Sequence, residues 1–304
     1  MLEVVPDVVN TKMPPCRFGM ATCLKDVATF VMTAGYGGDT LIGVDTETDA
    51  QPWPMTNVVG ISVYSREAVT EGSELSRFVL QCADYPALAM YIPLNYDWTD
   101  LKEKDVAHWL QILADGSIFV AHHWGADGPL FSRMGIHPKR IKDTYLLSNT
   151  LQAREPGLKD QILAYGLEKY TEVSHYLQLV ANRMGIDVDT LKVRGKEDSS
   201  LYSFGQFDPA HDKTALLYAC RDAQWTRELL PLLEEEHDAL VGGKVNAELI
   251  RDAQDRTCNF LASATSEGYV VDLEELQCAI EEKTTHNNFL EDNLRGEVKN
   301  ILGW

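Results

Sequence analysis

Residues 41–48 read LIGVDTET, an apolar run that passes directly into acids. In an extended strand, residues two apart point to the same face. Asp45 and Glu47 therefore project together, with Val44 and Thr46 turned the other way. Two carboxylates side by side at the end of an apolar strand repel each other unless a proton or a cation joins them. A hard divalent cation such as Mg²⁺ or Mn²⁺ suits oxygen donors of this kind. The bland alternative is a strand that exits into solvent with acidic ends, and the pair alone does not choose between them.

The surrounding pattern is that of an α/β or α+β domain with one mixed sheet. Residues 1–20 contain Pro6, Pro14 and Pro15 with little periodicity and read as a lead-in. Leu24, Val27, Phe30 and Val31 fall at helical spacing, and glycines at 35, 37 and 38 end that helix. VVGISVY at 58–64, residues 78–81, AMYIP at 89–93 and SIFVAH at 117–122 read as strands. Residues 102–114 read as a helix with Val106, Trp109, Leu110 and Leu113 on one face. From Asp127 onward helical patterns dominate. The stretch 171–208 is polar and irregular, and is read as a surface excursion or a flap. A boundary is expected near Gly242-Gly243, which separates a domain at 21–238 from a helical segment at 239–304. Two helices are expected in that segment, near 244–266 and 272–300.

Two further motifs carry acids. SIFVA leads into AHHWGAD, which ends at Asp127. Adjacent His122 and His123 point in different directions and lack a third ligand at a zinc-like offset, so Asp127 fits better as a third carboxylate for a hard metal. In YACRDAQWT, Tyr218 and Asp222 stand four apart on one helix face. The apolar residues around them mark a helix packed on the sheet. An Asp in such a helix is costly to bury without a partner.

Charge limits the partners. The chain of 304 residues carries a formal net charge of −19, which argues against a broad basic nucleic-acid surface. A narrow site gripping nucleic acid through cations remains open to it. Residues 234–304 hold 16 acidic and 6 basic side chains. Six scattered cysteines without a C-x-x-C pair make a thiolate zinc site or a disulfide framework poor readings. No apolar run reaches the roughly 18 residues of a membrane helix, and MLEVVPDVVN lacks a signal-peptide pattern. A cytoplasmic protein without membrane contact is expected (host cytoplasm if it is phage-encoded).

The order of these motifs is more telling than any one of them. D-x-E on an early strand, an Asp after a strand–turn and Y-x-x-x-D on a late helix resemble the 3′–5′ exonucleases of the DEDDy class. DTET at 45–48, Asp143-Thr144 with Leu146-Leu147, Gly157-Leu158-Lys159 to Leu163, and FGQFDPAHDKTALLYACRDAQWT resemble one branch. That branch is the proofreading domain of family A, DNA polymerase I-like enzymes of phage type, and the likeness runs over about 24–238. The stretch EGYVVD at 267–272 with the charged pattern after it resembles the start of the polymerase thumb. No palm or finger motif follows, so a split or cut-down polymerase is expected.

The resemblance implies a ribonuclease H-like mixed central sheet flanked by helices, with a helical C-terminal extension. It implies two divalent cations, Mg²⁺ or Mn²⁺, held by Asp45, Glu47, Asp127 and Asp222, with Tyr218 orienting the attacking water. Thr46, His123 and Arg154 are the implied substrate contacts. His123 stands where the family usually has Asn, Ala126 where it often has Tyr, and Gln51 where a leucine often wedges between terminal bases. Trp53 or Met55 is the substitute wedge, and Phe204, Phe207 and Trp53 are candidate base platforms or core. Three functions follow: a DNA 3′–5′ exonuclease acting on single-stranded or mispaired 3′ ends, an RNase D-like RNA exonuclease, or a non-catalytic subunit that docks a polymerase chain through 244–304.

Overall fold

The computed structural model describes residues 13–34, 38–49, 51, 55–67, 87–151, 157–168, 173–197, 204–268 and 283. The chain divides into two units, 1–266 and 267–304. The first unit holds the whole sheet and every acid of the motifs. The expected strand at 78–81 and, residue 283 apart, the expected helix at 272–300 lie outside the described residues, as do Trp53 and Arg154.

A six-stranded sheet forms the centre, in the order β1-β4-β3-β2-β5-β6. The strands are β1 (Arg17–Met20), β2 (Leu41–Thr48), β3 (Val58–Ser65), β4 (Leu88–Pro93), β5 (Ile118–Ala121) and β6 (Ile141–Asp143). β3 runs antiparallel to both β2 and β4, while β1 lies parallel to β4 and β5 parallel to both β2 and β6. The sheet is therefore mixed, as the pattern requires. β2 ends its apolar half at Val44, and the strand runs on through the acids to Thr48.

One face of the sheet is covered by α1 (Leu24–Ala34), α2 (Glu103–Gly116) and α3 (Trp124–Arg133). Ile42, Val44, Ile61 and Val63 pack there against Val27, Phe30, Leu110, Phe119 and Phe131. Each such fully buried aliphatic or aromatic side chain contributes about 1.5–3 kcal/mol. The other face carries α8 (Lys213–Val241), with α4 (Thr144–Thr150) and α5 (Leu158–Ala164) beside it. Leu147, Ile162, Trp225 and Leu229 form that layer with Val120.

The sheet's alternation determines which helix sees which residue. Ile42 and Val44 face α1 and α2, so Gly43, Asp45 and Glu47 face α8. At Gly43 the helix comes so close that an added Cβ would lie 2.0 Å from the Ala223 carbonyl oxygen. Glycine is what lets the residue beside Ala223, Asp222, reach the strand carboxylates.

The described residues of 171–208 are largely helical and not irregular. They contain α6 (Val173–Met184), α7 (Val188–Glu197) and a short 3₁₀ turn at Phe204–Gln206. Val180, Ala181, Leu191, Phe204 and Phe207 are buried against Tyr64, Tyr91 and α8. An apolar stripe at Leu177, Val180, Ala181 and Met184 runs through this otherwise polar sequence. Phe204 and Phe207 are thus core residues and not base platforms: each is 2% exposed.

Residues 244–267 form α9, close to the expected 244–266 helix. Through Ser266 it belongs to the first compact unit. Asn259 is the reason in part: its Oδ1 accepts from Trp124 Nε1, and its Nδ2 donates to the Pro138 carbonyl. Ala262 is buried against Gly128 of α3. No helix among the described residues is long and apolar enough to cross a membrane.

Candidate active site

Three layers contribute one acid or more each at the carboxyl ends of β2 and β5. Such an edge is where open α/β sheets place their ligands. β2 supplies Asp45 and Glu47, and α8 supplies Asp222. Carboxylate oxygens of these three lie within 4.8 Å of one another. Asp127 comes from α3, on the opposite face of the sheet, and Thr46 is the link. Its side chain points toward the α3 layer, as alternation dictates, and its hydroxyl donates to Asp127 Oδ1. Thr46, expected as a substrate contact, thus holds a carboxylate.

The electrostatics follow from crowding. Burial is the largest cause pushing Asp45 well above the usual carboxylate range, and Asp127, Asp222 and Glu47 add to it. Burial followed by Asp222 does the same to Glu47. Asp127 is raised to about 7, by burial first, while the Thr46 hydroxyl opposes the shift. Asp222 is raised by burial and held back by Lys159. Such a group of carboxylates is stable only if protons or cations compensate it.

The donor set fits a hard divalent cation. It is made of carboxylate oxygens from rigid elements. Glu47 Oε1 and Asp222 Oδ1 are buried and have no hydrogen-bond partner among the described residues. Buried, unsatisfied carboxylate oxygens facing one another are costly, and coordination to a cation would satisfy them.

Tyr218 sits one turn before Asp222 on α8. Its hydroxyl is pushed well above the ordinary tyrosine range, by burial and then by Asp222, Glu47 and Asp45. It therefore stays protonated and able to donate. His123 lies at the N-terminus of α3 with φ 76° and ψ 60°, in the left-handed region. Asn is the usual non-glycine occupant of that region, with His also enriched. His123 can therefore hold this backbone at modest cost. The His123 ring is exposed and lies 4.7 Å from the Tyr145 ring. Met55 is 63% exposed.

The turn carrying His123 is clamped by Asp143. Its Oδ1 accepts from the His123, Tyr145 and Leu146 amides, and its Oδ2 from the Trp124 amide. One buried carboxylate caps α4 and fixes the start of α3 at once. The D-T segment was legible as a motif but not in this role.

Sequence reasoning gave no role to Lys159. It lies in α5, and its ammonium pairs with Asp222 Oδ2. It also sits 4.6 Å above the centre of the Tyr218 ring. Only the run Gly157-Leu158-Lys159 drew attention to the segment, and a lone lysine on a helix carries no signal of its own.

No protein-family model and no curated protein matches the chain. Solved structures do. RNase D of Trypanosoma brucei superposes with a TM-score of 0.50 over 83% of this chain and 74% of its own, at 13% identity. The fold is that of ribonuclease H-like exonuclease domains. RNase D of Escherichia coli, described as an exoribonuclease involved in structured RNA processing, matches with a TM-score of 0.45 over 81% of this chain at 13% identity. The present chain spans about half of that protein, 51%. The EXO domain of Nibbler from Aedes aegypti matches over 84% of this chain and all of its own, with a TM-score of 0.41 and 14% identity. At these identities the likeness is one of fold.

Proposed function

We propose that the chain is a metal-dependent 3′–5′ exonuclease that releases nucleoside 5′-monophosphates from single-stranded or mispaired DNA 3′ ends. The observation that carries this reading is the meeting of Asp45, Glu47 and Asp222 within 4.8 Å at the edge of an exonuclease-type sheet. Asp127 joins them through Thr46. The motif order resembling family A proofreading domains favours DNA and a proofreading role.

Two divalent cations held by Asp45, Glu47, Asp127 and Asp222 would stabilise the charge on the attacking and leaving oxygens. The chain's own residues do the rest. Water attacks the terminal phosphorus, the bond to the 3′ oxygen breaks, and that oxygen takes up a proton. The Tyr218 hydroxyl, kept protonated by its surroundings, orients the water by hydrogen bonding. Thr46 keeps Asp127 ionisable and aimed. His123 and Tyr145 offer a paired aromatic surface to the strand end. Arg154 is retained as a phosphate contact on resemblance alone.

RNA is the second reading, favoured by the fold shared with Trypanosoma brucei RNase D. A polymerase chain is the proposed macromolecular partner, through 244–304. Val245, Leu249, Phe260 and Leu261 on α9 are exposed and apolar, which supports that choice.

The test uses single-stranded DNA and RNA of one sequence, labelled at either end, with Mg²⁺ or Mn²⁺, beside Asp45→Ala. Early loss of the 3′ label, a descending ladder from the 5′ label and silence in the variant are expected, with DNA the faster substrate. Faster RNA decay moves the reading to an RNase D-like enzyme. No cleavage of either strand by folded wild type overturns both.

A further inference from the structure

Lys159 is placed as no ordinary surface lysine would be. Its side chain is only 22% exposed and its ammonium pairs with Asp222 Oδ2. It lies 4.6 Å over the Tyr218 ring and 5.7 Å from the Trp225 ring centre. Its charge is felt at Asp45, Glu47 and Asp222 alike. A simple counter-ion for Asp222 would account for the first contact. It does not account for the position over Tyr218, the residue next to the reacting phosphate in an exonuclease site.

Lys159 also leaves the cation-facing oxygens alone. It takes Asp222 Oδ2, while Asp222 Oδ1 and Glu47 Oε1 remain without a partner among the described residues. A lysine ammonium has three donors, and the pair with Asp222 uses one. Charge balance points the same way. Two divalent cations would balance the four carboxylates, and a phosphodiester arriving in that site would bring one further negative charge. The lysine supplies the matching positive one, in a desolvated place where it counts most.

We propose that Lys159 is a phosphate-binding residue of this site, donating to a non-bridging oxygen of the terminal phosphodiester, or of the released nucleotide, while it keeps Asp222 oriented. This rests on the exonuclease reading for the identity of the phosphate. It does not rest on turnover, because nucleotide binding is measured directly.

The experiment is calorimetric titration of dAMP, and separately of deoxyadenosine, into wild type, Lys159→Met and Lys159→Arg, each saturated with Mn²⁺. Loss of one charge-assisted hydrogen bond weakens dAMP binding by about 10- to 100-fold in Lys159→Met. Most of this returns in Lys159→Arg, and deoxyadenosine binding stays as in wild type. Titration of Mn²⁺ alone into the same variants checks that the cation site persists, and if Lys159→Met does not fold, Lys159→Gln takes its place. Wild-type affinity for dAMP in the uncharged variant overturns the proposal. Equal loss of dAMP and deoxyadenosine also overturns it, since that marks a residue that only shapes the site. Wild type that cuts neither strand, yet loses dAMP affinity when Lys159 is replaced, overturns the exonuclease reading and leaves this one standing.

Discussion

The Thr46 hydroxyl donates to Asp127 Oδ1 across 81 positions of sequence and from one layer of the fold to the other. Thr46 thus joins the acids of β2 to the acid of α3. Thr46→Val keeps the strand shape and removes the donor. Outer partners of metal-binding carboxylates are worth about 10- to 100-fold in affinity or activity when lost. Thr46→Val is expected to lower kcat by an amount in that range, and Thr46→Ser to restore it. Single-turnover cleavage of a labelled oligonucleotide measures both, with thermal unfolding as the check on folding.

Gly43 and Ala223 make the second decisive contact. A methyl at Gly43 would lie 2.0 Å from the Ala223 carbonyl oxygen, and the obstacle is backbone. α8 must therefore move away from β2, taking Asp222 with it. Overpacking of this kind costs about 1–3 kcal/mol. Gly43→Ala is expected to lose about that much stability in urea unfolding. It should also lose Mn²⁺ affinity, although residue 43 ligates nothing. A variant with wild-type Mn²⁺ affinity would show that the close approach serves packing alone.

Asp143 accepts from the amides of His123, Trp124, Tyr145 and Leu146. Asp143→Ala leaves one buried and three part-buried amides without this acceptor and frees a turn that holds His123 at φ 76°. The expected cost is about 2–4 kcal/mol. Asp143→Asn keeps an acceptor oxygen and recovers part of it. Thermal unfolding in the presence of chelator separates this loss from any effect on cation binding.

These contacts show what the sequence does and does not carry. The alternation in LIGVDTET places Asp45 and Glu47 on one face and Thr46 on the other, and the i, i+4 spacing of Tyr218 and Asp222 places them on one helix face. Motif order joins the two. What the sequence does not carry is the distance between elements. Gly43 reads as a gap in an apolar run until Ala223 is seen against it. Lys159 reads as a helix surface residue until Asp222 lies beside it. The helices α6 and α7 pack Leu177, Val180, Ala181, Met184, Val188 and Leu191 inward, a helical spacing that the polar residues between them outweigh in the sequence. Phe204 and Phe207 were ambiguous for another reason, since an aromatic side chain serves a core or a platform equally well.

The crowded acids also fix how stability depends on pH. Asp127 is raised to about 7 and so is Asp255, the latter by burial against the β6 end with Lys142 opposing. Asp45, Glu47 and Asp222 are shifted upward as well. In the unfolded chain these groups titrate near 4. Between about pH 4 and 7 the folded state therefore binds more protons than the unfolded one, and stability falls as pH rises through that window. In chelator the thermal midpoint is expected to drop from pH 5 to pH 8. Saturating Mn²⁺ binds the deprotonated cluster and should remove most of that slope. The part due to Asp255 should remain with Mn²⁺ present and disappear in Asp255→Asn, because Asp255 stands apart from the Asp45, Glu47 and Asp222 group. Thermal scans across pH with chelator and with Mn²⁺ measure this directly. A flat profile in chelator would mean that the folded protein does not hold these carboxylates close together.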